Sequence, residues 1–338
     1  MSSIEARDVT KEFVPRSQRL SLLGEKHVTR AVDHISISLR RRVCLGLAGE
    51  SGSGKTTLGE LLAGIQSPTS GEIFFLGKNI ARLSKDEFKL LRRKVQVIPQ
   101  DPFESIDPHY TVLETLMEPL EVNDFPKEDH YRKAHRALEL AELKPADTFL
   151  GKYPNELSGG QRQRVAISRA LVVDPEFLIA DEPVSMLDAS IRASILNLLR
   201  NLKNELDLGL LYVSHDLSTV RYVSDIAAIM YRGWIVEIGP GSEVLKKPFH
   251  PYTKALISSV PILDPDRKRT RATIKDSTAD AHQMRNACRY MPRCPYAQKE
   301  CNSEPVLRQV ALGHSAACHL AEARKININL GGGRRVWG

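Results

Sequence analysis

Gly49-Glu50-Ser51-Gly52-Ser53-Gly54-Lys55-Thr56 follows the apolar run Val43-Cys44-Leu45-Gly46-Leu47-Ala48 and leads into Thr57-Leu58-Gly59-Glu60-Leu61-Leu62, which reads as the start of a helix. Strand, glycine-rich loop and helix, in that order, are the context that a G-x-x-x-x-G-K-S/T match requires. The glycines Gly49, Gly52 and Gly54 let the backbone curl so that N–H groups of the loop, with those of Ser51, Ser53 and Thr57, point inward at phosphate oxygens. The helix N-terminus adds its positive dipole end. Lys55 would reach the β- and γ-phosphates, and the Thr56 hydroxyl is placed to ligate Mg²⁺. A chance match in a chain of this length is expected roughly 0.01 times. The stretch predicts a nucleoside triphosphate site.

Upstream, Ile4 to Phe13 and the cleanly alternating Ala31 to Leu39 read as strands. Phe13 is either an aromatic that stacks on the nucleotide base or a core phenylalanine. Downstream, Gly71 to Gly77 reads as a short strand, residues 84–94 as a basic helix, and Val95 to Pro99 as a buried strand ending at Gln100. Residues 111–150 carry spaced Leu, Met and Ala without strand character, which predicts a compact insert of two or three helices. That insert ends at Leu157-Ser158-Gly159-Gly160-Gln161, a serine-capped helix start whose small residues leave N–H groups open to an anion. The apolar strand Phe177 to Ala180 then ends in Asp181-Glu182-Pro183. After a phosphate loop this pair reads as a Mg²⁺-holding aspartate and a glutamate that polarises the attacking water. A helix is predicted from Ser185 to about residue 206. The buried strand Gly209 to Ser214 ends at His215, at the kind of strand end where ligands of open α/β sheets collect, so His215 reads as a γ-phosphate sensor.

Taken together, residues 49–56, Gln100, residues 157–161, Asp181-Glu182 and His215 resemble the ATP-binding cassette of ABC transporters, over residues 4 to about 245. The resemblance implies an α/β P-loop fold: a mixed sheet core, an antiparallel β subdomain and a helical subdomain at about 101–170. It implies a head-to-tail dimer in which Ser158, Gly159, Gly160 and Gln161 contact the nucleotide held by the other cassette's loop. It also makes Gln100 a Mg²⁺ and catalytic residue that links the site to the helical insert. Gly49-Glu50-Ser51-Gly52, Pro99-Gln100-Asp101-Pro102 and His250-Pro251-Tyr252-Thr253-Lys254-Ala255-Leu256 narrow this to a resemblance to oligopeptide/dipeptide importer ATPases, and Arg221-Tyr222-Val223-Ser224-Asp225 to their F-type member. The implied partners are a second, D-type ATPase, two transmembrane permeases and an extracytoplasmic binding protein, with the chain peripheral on the cytoplasmic membrane face. Relatives of this group serve peptides, nickel and oligosaccharides. Met186 stands where the family usually has alanine, and Phe13 where it usually has tyrosine.

Size and composition agree. The chain has 338 residues, with 42% hydrophobic and 26% charged residues, ordinary for a soluble globular protein with two or three domains. No apolar run reaches the 18 or so residues of a membrane span, and residues 1–6 lack the marks of a secretion signal. The net charge of +7 is spread along the chain without a nucleic-acid motif, so no nucleic-acid partner is expected.

Beyond a predicted boundary at 245/246, residues 264–284 read as a polar linker, and the tail to 338 carries Cys288, Cys294, Cys301 and Cys318. Four clustered cysteines without a disulfide context suit Zn²⁺ or an iron–sulfur cluster. The importer resemblance favours a 4Fe–4S cluster as a structural staple for a segment too small to hold its own core. Cys44, alone in a core strand, reads as packing. The competing reading, a soluble ABC ATPase, fits less well. Only about 125 residues separate Lys55 from Asp181, with no sustained heptads for a repair-type coiled coil.

Overall fold

The computed structural model describes residues 3–14, 28–259 and 286–321. The predicted linker at 264–284 lies outside these residues. The strand that precedes the phosphate loop, β3 (Cys44–Ala48), is buried at every position. A strand apolar on both faces belongs in the middle of a covered parallel sheet, and β3 sits there. It pairs in parallel with β8 (Gly209–Ser214) on one side and β9 (Ile226–Tyr231) on the other, and β7 (Phe177–Asp181) and β6 (Val95–Ile98) continue the parallel run. Helices α1 (Lys55–Leu62), α7 (Ala189–Glu205) and α8 (Leu217–Val223) cover the faces. Cys44 is fully buried, with its thiol pushed up to about 12 by desolvation, as a packing residue requires.

A second, antiparallel sheet is built from β2 (Thr29–Arg40), β1 (Ser3–Phe13), β4 (Ser70–Phe75) and β5 (Lys78–Asn79) in that order. Its apolar face shares a core with α1 and β3, in which Ile4, Leu39, Leu58 and Leu62 are fully buried. Each such side chain contributes about 1.5–3 kcal/mol by leaving water. Helix α2 (Lys85–Lys94) starts at a capping box in which Ser84 and Glu87 satisfy each other's backbone N–H.

The helical insert comprises α3 (Val112–Val122), α4 (Lys127–Leu140), the single turn α5 (Asp147–Leu150) and α6 (Gly159–Leu171). It closes around its own apolar cluster, including Leu116, Leu138, Leu150 and Val165. The predicted helix from Ser185 begins later than expected. Asp188 is the N-cap of α7, accepting from the N–H groups of Ser190 at 3.1 Å and Ile191 at 3.0 Å, so Ser185–Leu187 stays a turn held by Glu182 and Val184 carbonyls.

Past 245 the fold departs from a separate C-terminal unit. The strand β10 (Trp234–Pro240) pairs antiparallel with β9 and also with β12 (His314–Ala316), which in turn pairs with β11 (Arg308–Ala311). One eight-stranded sheet therefore runs β11-β12-β10-β9-β3-β8-β7-β6 across the expected boundary. Short helices α9 (Gly241–Lys246) and α10 (Pro251–Ser259) connect the two parts. Tyr290 and Cys294 belong to the same apolar core as β8 and α7. The rings of Tyr231, Tyr252 and Tyr290 meet at centroid distances of 4.5 to 5.4 Å.

Glu237 of β10 organises this junction. Its carboxylate is fully buried and accepts from the backbone N–H groups of Phe249 at 2.8 Å and His250 at 3.0 Å, at the start of α10, and pairs with His314 Nε2 at 2.8 Å. His250 Nδ1 in turn accepts the Tyr252 N–H at 3.0 Å. Burial pushes the His250 pKa down to about 4 from its ordinary 6.5. The folded chain then binds fewer protons at this site than the unfolded one. The stability is fully present above pH 6.5 and is lost as pH falls toward 4, by about 3 kcal/mol in all. Asn offers an acceptor to Tyr252 but does not titrate. Urea midpoints between pH 7.5 and 5 are expected to fall less in His250→Asn than in the parent chain.

Candidate functional site

Strand direction assembles the site. Ala48 lies opposite Ser214, Asp181 opposite Val213, and Ile98 opposite Ala180, so four parallel strands end at one edge of the sheet. The loop 49–56 leaves β3 there, and Gln100, Asp181-Glu182 and His215 arrive from β6, β7 and β8. A cavity of about 740 Å³ opens at this edge, lined by the loop, by Gln100, Glu182 and His215, and by Ala31 and Leu256.

The loop's curl depends on glycine. Gly54 has φ of +102°, and a Cβ there would stand 1.9 Å from the Ala31 carbonyl oxygen. The side chain of Lys55 is folded under the loop, with Nζ donating to the carbonyls of Gly49 at 3.0 Å and Glu50 at 2.9 Å. Burial lowers its pKa, while Glu182, Asp181 and Glu50 pull it back up. The Thr56 hydroxyl hydrogen-bonds to Asp181, whose pKa is raised by burial, opposed by Thr56 and Lys55 and reinforced by Glu182.

Glu182 carries a left-handed backbone at φ of +45°, a conformation that costs a non-glycine residue about 1–3 kcal/mol. Its N–H donates to the Val213 carbonyl at 2.9 Å, which ties the strained residue to β8. The carboxylate is held from both sides, with Oε1 at 3.0 Å from His215 Nδ1 and Oε2 accepting from Gln100 Nε2 at 3.3 Å. A carboxylate fixed beside a phosphate cradle can accept a proton from water.

Two buried polar atoms here lack a partner, Ser53 Oγ and Asp181 Oδ1. Orphaned buried oxygens in residues next to the cavity lining call for an unseen partner, and hard oxygen donors from Thr56 and Asp181 suit Mg²⁺ with phosphate oxygens. The residues present fit that group.

Other predicted site residues stand apart from this cavity. Phe13 ends β1, 39% exposed, with the Lys11 ammonium 5.4 Å from its ring centre. Ser158 caps α6 in a capping box with Gln161, its N–H bonded to Gln161 Oε1 at 2.9 Å, and both Ser158 and Gly159 are exposed. Gly160 is buried against Ile191, whose side chain would stand 2.7 Å from a Cβ at this position.

The fold brings Cys294, Cys301 and Cys318 close enough to act on the Cys288 thiol, and the Cys288 N–H donates to the Cys301 carbonyl at 3.0 Å. Among the described residues no group of three or more His, Cys, Asp or Glu side chains is arranged to hold a metal ion. Cys288 and Cys294 pack against the main core, whereas Cys318 packs with Val310, Ala316 and Ala321 in a separate cluster. Burial, with smaller effects from the Cys301, Cys318 and Cys294 thiols, pushes the Cys288 thiol up to about 12. The donor set suits a 4Fe–4S cluster or Zn²⁺ in kind, but the folded arrangement does not fit either.

Sequence reading assigned Arg289 and Arg293 no role near the loop, and treated Tyr252 and Leu256 only as parts of a motif. Nothing in their spacing connects them with residues 49–56.

Residues 32–185 match the ABC transporter family, and residues 236–301 the oligopeptide/dipeptide transporter C-terminal region. The oligopeptide transport ATP-binding protein AppF of Bacillus subtilis is 40% identical over 324 residues, covering 94% of this chain and 97% of its own. The chain belongs to the oligopeptide/dipeptide-type ABC transporter ATPases. A Brucella ovis relative, provisionally named a peptide import ATP-binding protein, is 41% identical over 317 residues, covering 93% of this chain and 96% of its own. A dimeric ATP-binding cassette in a post-hydrolysis state with ADP and phosphate superposes with a TM-score of 0.60 at 28% identity, over 70% of this chain and 98% of that one. As an ABC transporter ATPase the chain binds and hydrolyses ATP. No helix among its described residues is long and apolar enough to cross a membrane.

Proposed function

We propose that this ABC ATPase drives a binding-protein-dependent peptide importer from the cytoplasmic membrane face. Its partners are two permeases, an extracytoplasmic binding protein and a second, similar ATPase. The observation that carries the reading is the meeting of Lys55, Thr56, Gln100, Glu182 and His215 at one cavity, in a chain whose residues 236–301 match the oligopeptide/dipeptide transporter region.

The loop N–H groups and Lys55 bind the ATP phosphates. Mg²⁺, when bound by Thr56, Asp181 and Gln100, supplies charge neutralisation on the β- and γ-phosphates. Glu182 takes a proton from water as its oxygen attacks the γ-phosphorus, the bond to the β–γ bridging oxygen breaks, and ADP and phosphate leave. His215 steadies Glu182 and contacts the γ-phosphate. Phe13, exposed at the end of β1, stacks on the base. Ser158, Gly159, Gly160 and Gln161 face the nucleotide of the second ATPase, a role supported by their position outside this chain's own cavity. Met186, 63% exposed in the turn before α7, contacts the same partner. No step runs through an iron–sulfur or zinc centre.

Tagged Glu182→Gln protein, purified with ATP from detergent-solubilised membranes, is expected to bring two permeases and a second ATPase with it. Recovery only from the soluble fraction, without membrane partners, would overturn the reading in favour of a soluble ABC ATPase.

A further inference from the structure

The second residue of the phosphate loop, Glu50, is gripped from outside the loop. Its backbone N–H donates to the Tyr252 hydroxyl at 3.0 Å, and its carboxylate oxygens accept from Arg293 NH1 at 3.1 and 3.3 Å. Its carbonyl accepts from Lys55 Nζ at 2.9 Å. Tyr252 sits 1% exposed in the three-tyrosine cluster, with little freedom to swing away. The far side of the loop is held as well. The Ser53 carbonyl accepts from the Gly233 N–H at 2.9 Å. The adjoining Arg232 carbonyl is bonded by Arg289, which also pairs with Asp33 and lies over the Trp234 ring at 4.1 Å. The segment 286–321 and helix α10 thus reach the loop at both of its shoulders.

This arrangement has an electrostatic purpose. Glu50 is half-exposed at a cavity that receives a polyanion, and an unpaired carboxylate there would repel the phosphates. Arg293 neutralises it, while Tyr252 fixes the direction of the backbone amide. Preorganised donors bind an oxyanion without paying to be ordered at the moment of binding. We propose that Arg293 and Tyr252 are positioning residues for the phosphate loop, acting through Glu50, so that the C-terminal segment sets the affinity for ATP.

The test is a double-mutant cycle in the full-length protein. Dissociation constants for Mg·ATP are measured by calorimetry, and phosphate release is measured at saturating ATP. Arg293→Ala is expected to weaken ATP binding about tenfold, an intermediate value for a charged, partly exposed hydrogen-bonded pair, with turnover at saturation within about twofold of the parent. Tyr252→Phe, which removes only the hydroxyl, is expected to weaken it about threefold. Because Glu50→Gln removes the charge that Arg293 offsets, adding Arg293→Ala to it is expected to cost less than twofold more. Arg293→Lys restores the charge without the fork and is expected to recover most of the affinity, which also covers the case in which Arg293→Ala fails to fold. The proposal is overturned if Arg293→Ala and Tyr252→Phe both leave ATP affinity within twofold. An Arg293→Ala loss that is equally large with Glu50→Gln present also overturns it, since that marks a general structural role.

Discussion

Glu182→Gln is expected to lower turnover at saturating ATP by about 10²–10⁴-fold, the range for loss of a positioned general base, while ATP affinity stays within about threefold. The amide is nearly isosteric and can keep one hydrogen bond each with His215 and Gln100, which stand 3.0 and 3.3 Å from the carboxylate oxygens. It cannot take the proton from water. The backbone at φ of +45° and the 2.9 Å bond to Val213 belong to the main chain and survive the change, so the loss reports on chemistry rather than folding. Single-turnover phosphate release beside equilibrium ATP binding checks this. A variant that releases phosphate at a rate near the parent's would remove Glu182 from the role of base and leave the Gln100–His215 pair to be tested in its place.

Lys55→Ala is expected to weaken ATP binding by more than about 100-fold. Lys55 is 5% exposed, lines the cavity and has its ammonium held by the carbonyls of Gly49 and Glu50. On binding it contributes charge-assisted hydrogen bonds to phosphate, worth about 1.5–3 kcal/mol each, and two such bonds correspond to 10²-fold or more. Arginine is not expected to rescue the loss, because a planar fork does not fit the space that the compact ammonium fills under the loop. Equilibrium titration with Mg·ATP measures the effect, and an unchanged urea midpoint would separate it from unfolding. Binding within tenfold of the parent would mean that the loop amides alone hold the phosphates.

Both expectations could be framed from the chain itself because phosphate chemistry imposes short-range grammar. A strand, a glycine-rich turn and a helix start must be contiguous for backbone amides to converge, and residues 43–62 write them contiguously. Asp181-Glu182 and His215 were legible for a related reason. Each follows an apolar run that only a buried strand explains, and parallel strands deliver their ends to one edge. The Ser158–Gln161 cap was equally local, since a serine reaches an N–H three residues on.

The sequence by itself determined the nucleotide cradle, the strand-end acids and the helical insert, all of which rest on contacts within a few residues or on one strand direction. The tertiary structure alone decided what happens beyond residue 245. Pairing of β12 with β10 joins residues far apart in the chain, and no local pattern announces a partner for an edge strand, so a tail that reads as a separate unit became part of the main sheet. Spacing put four cysteines near one another in the chain and the fold keeps their thiols within electrostatic reach of Cys288, but among the described residues it does not arrange three of them to hold a metal ion. Arg293 reaches Glu50 only because β9, β10 and the tyrosine cluster bring them together. A long, flexible side chain leaves no periodic trace of where its charge will be needed.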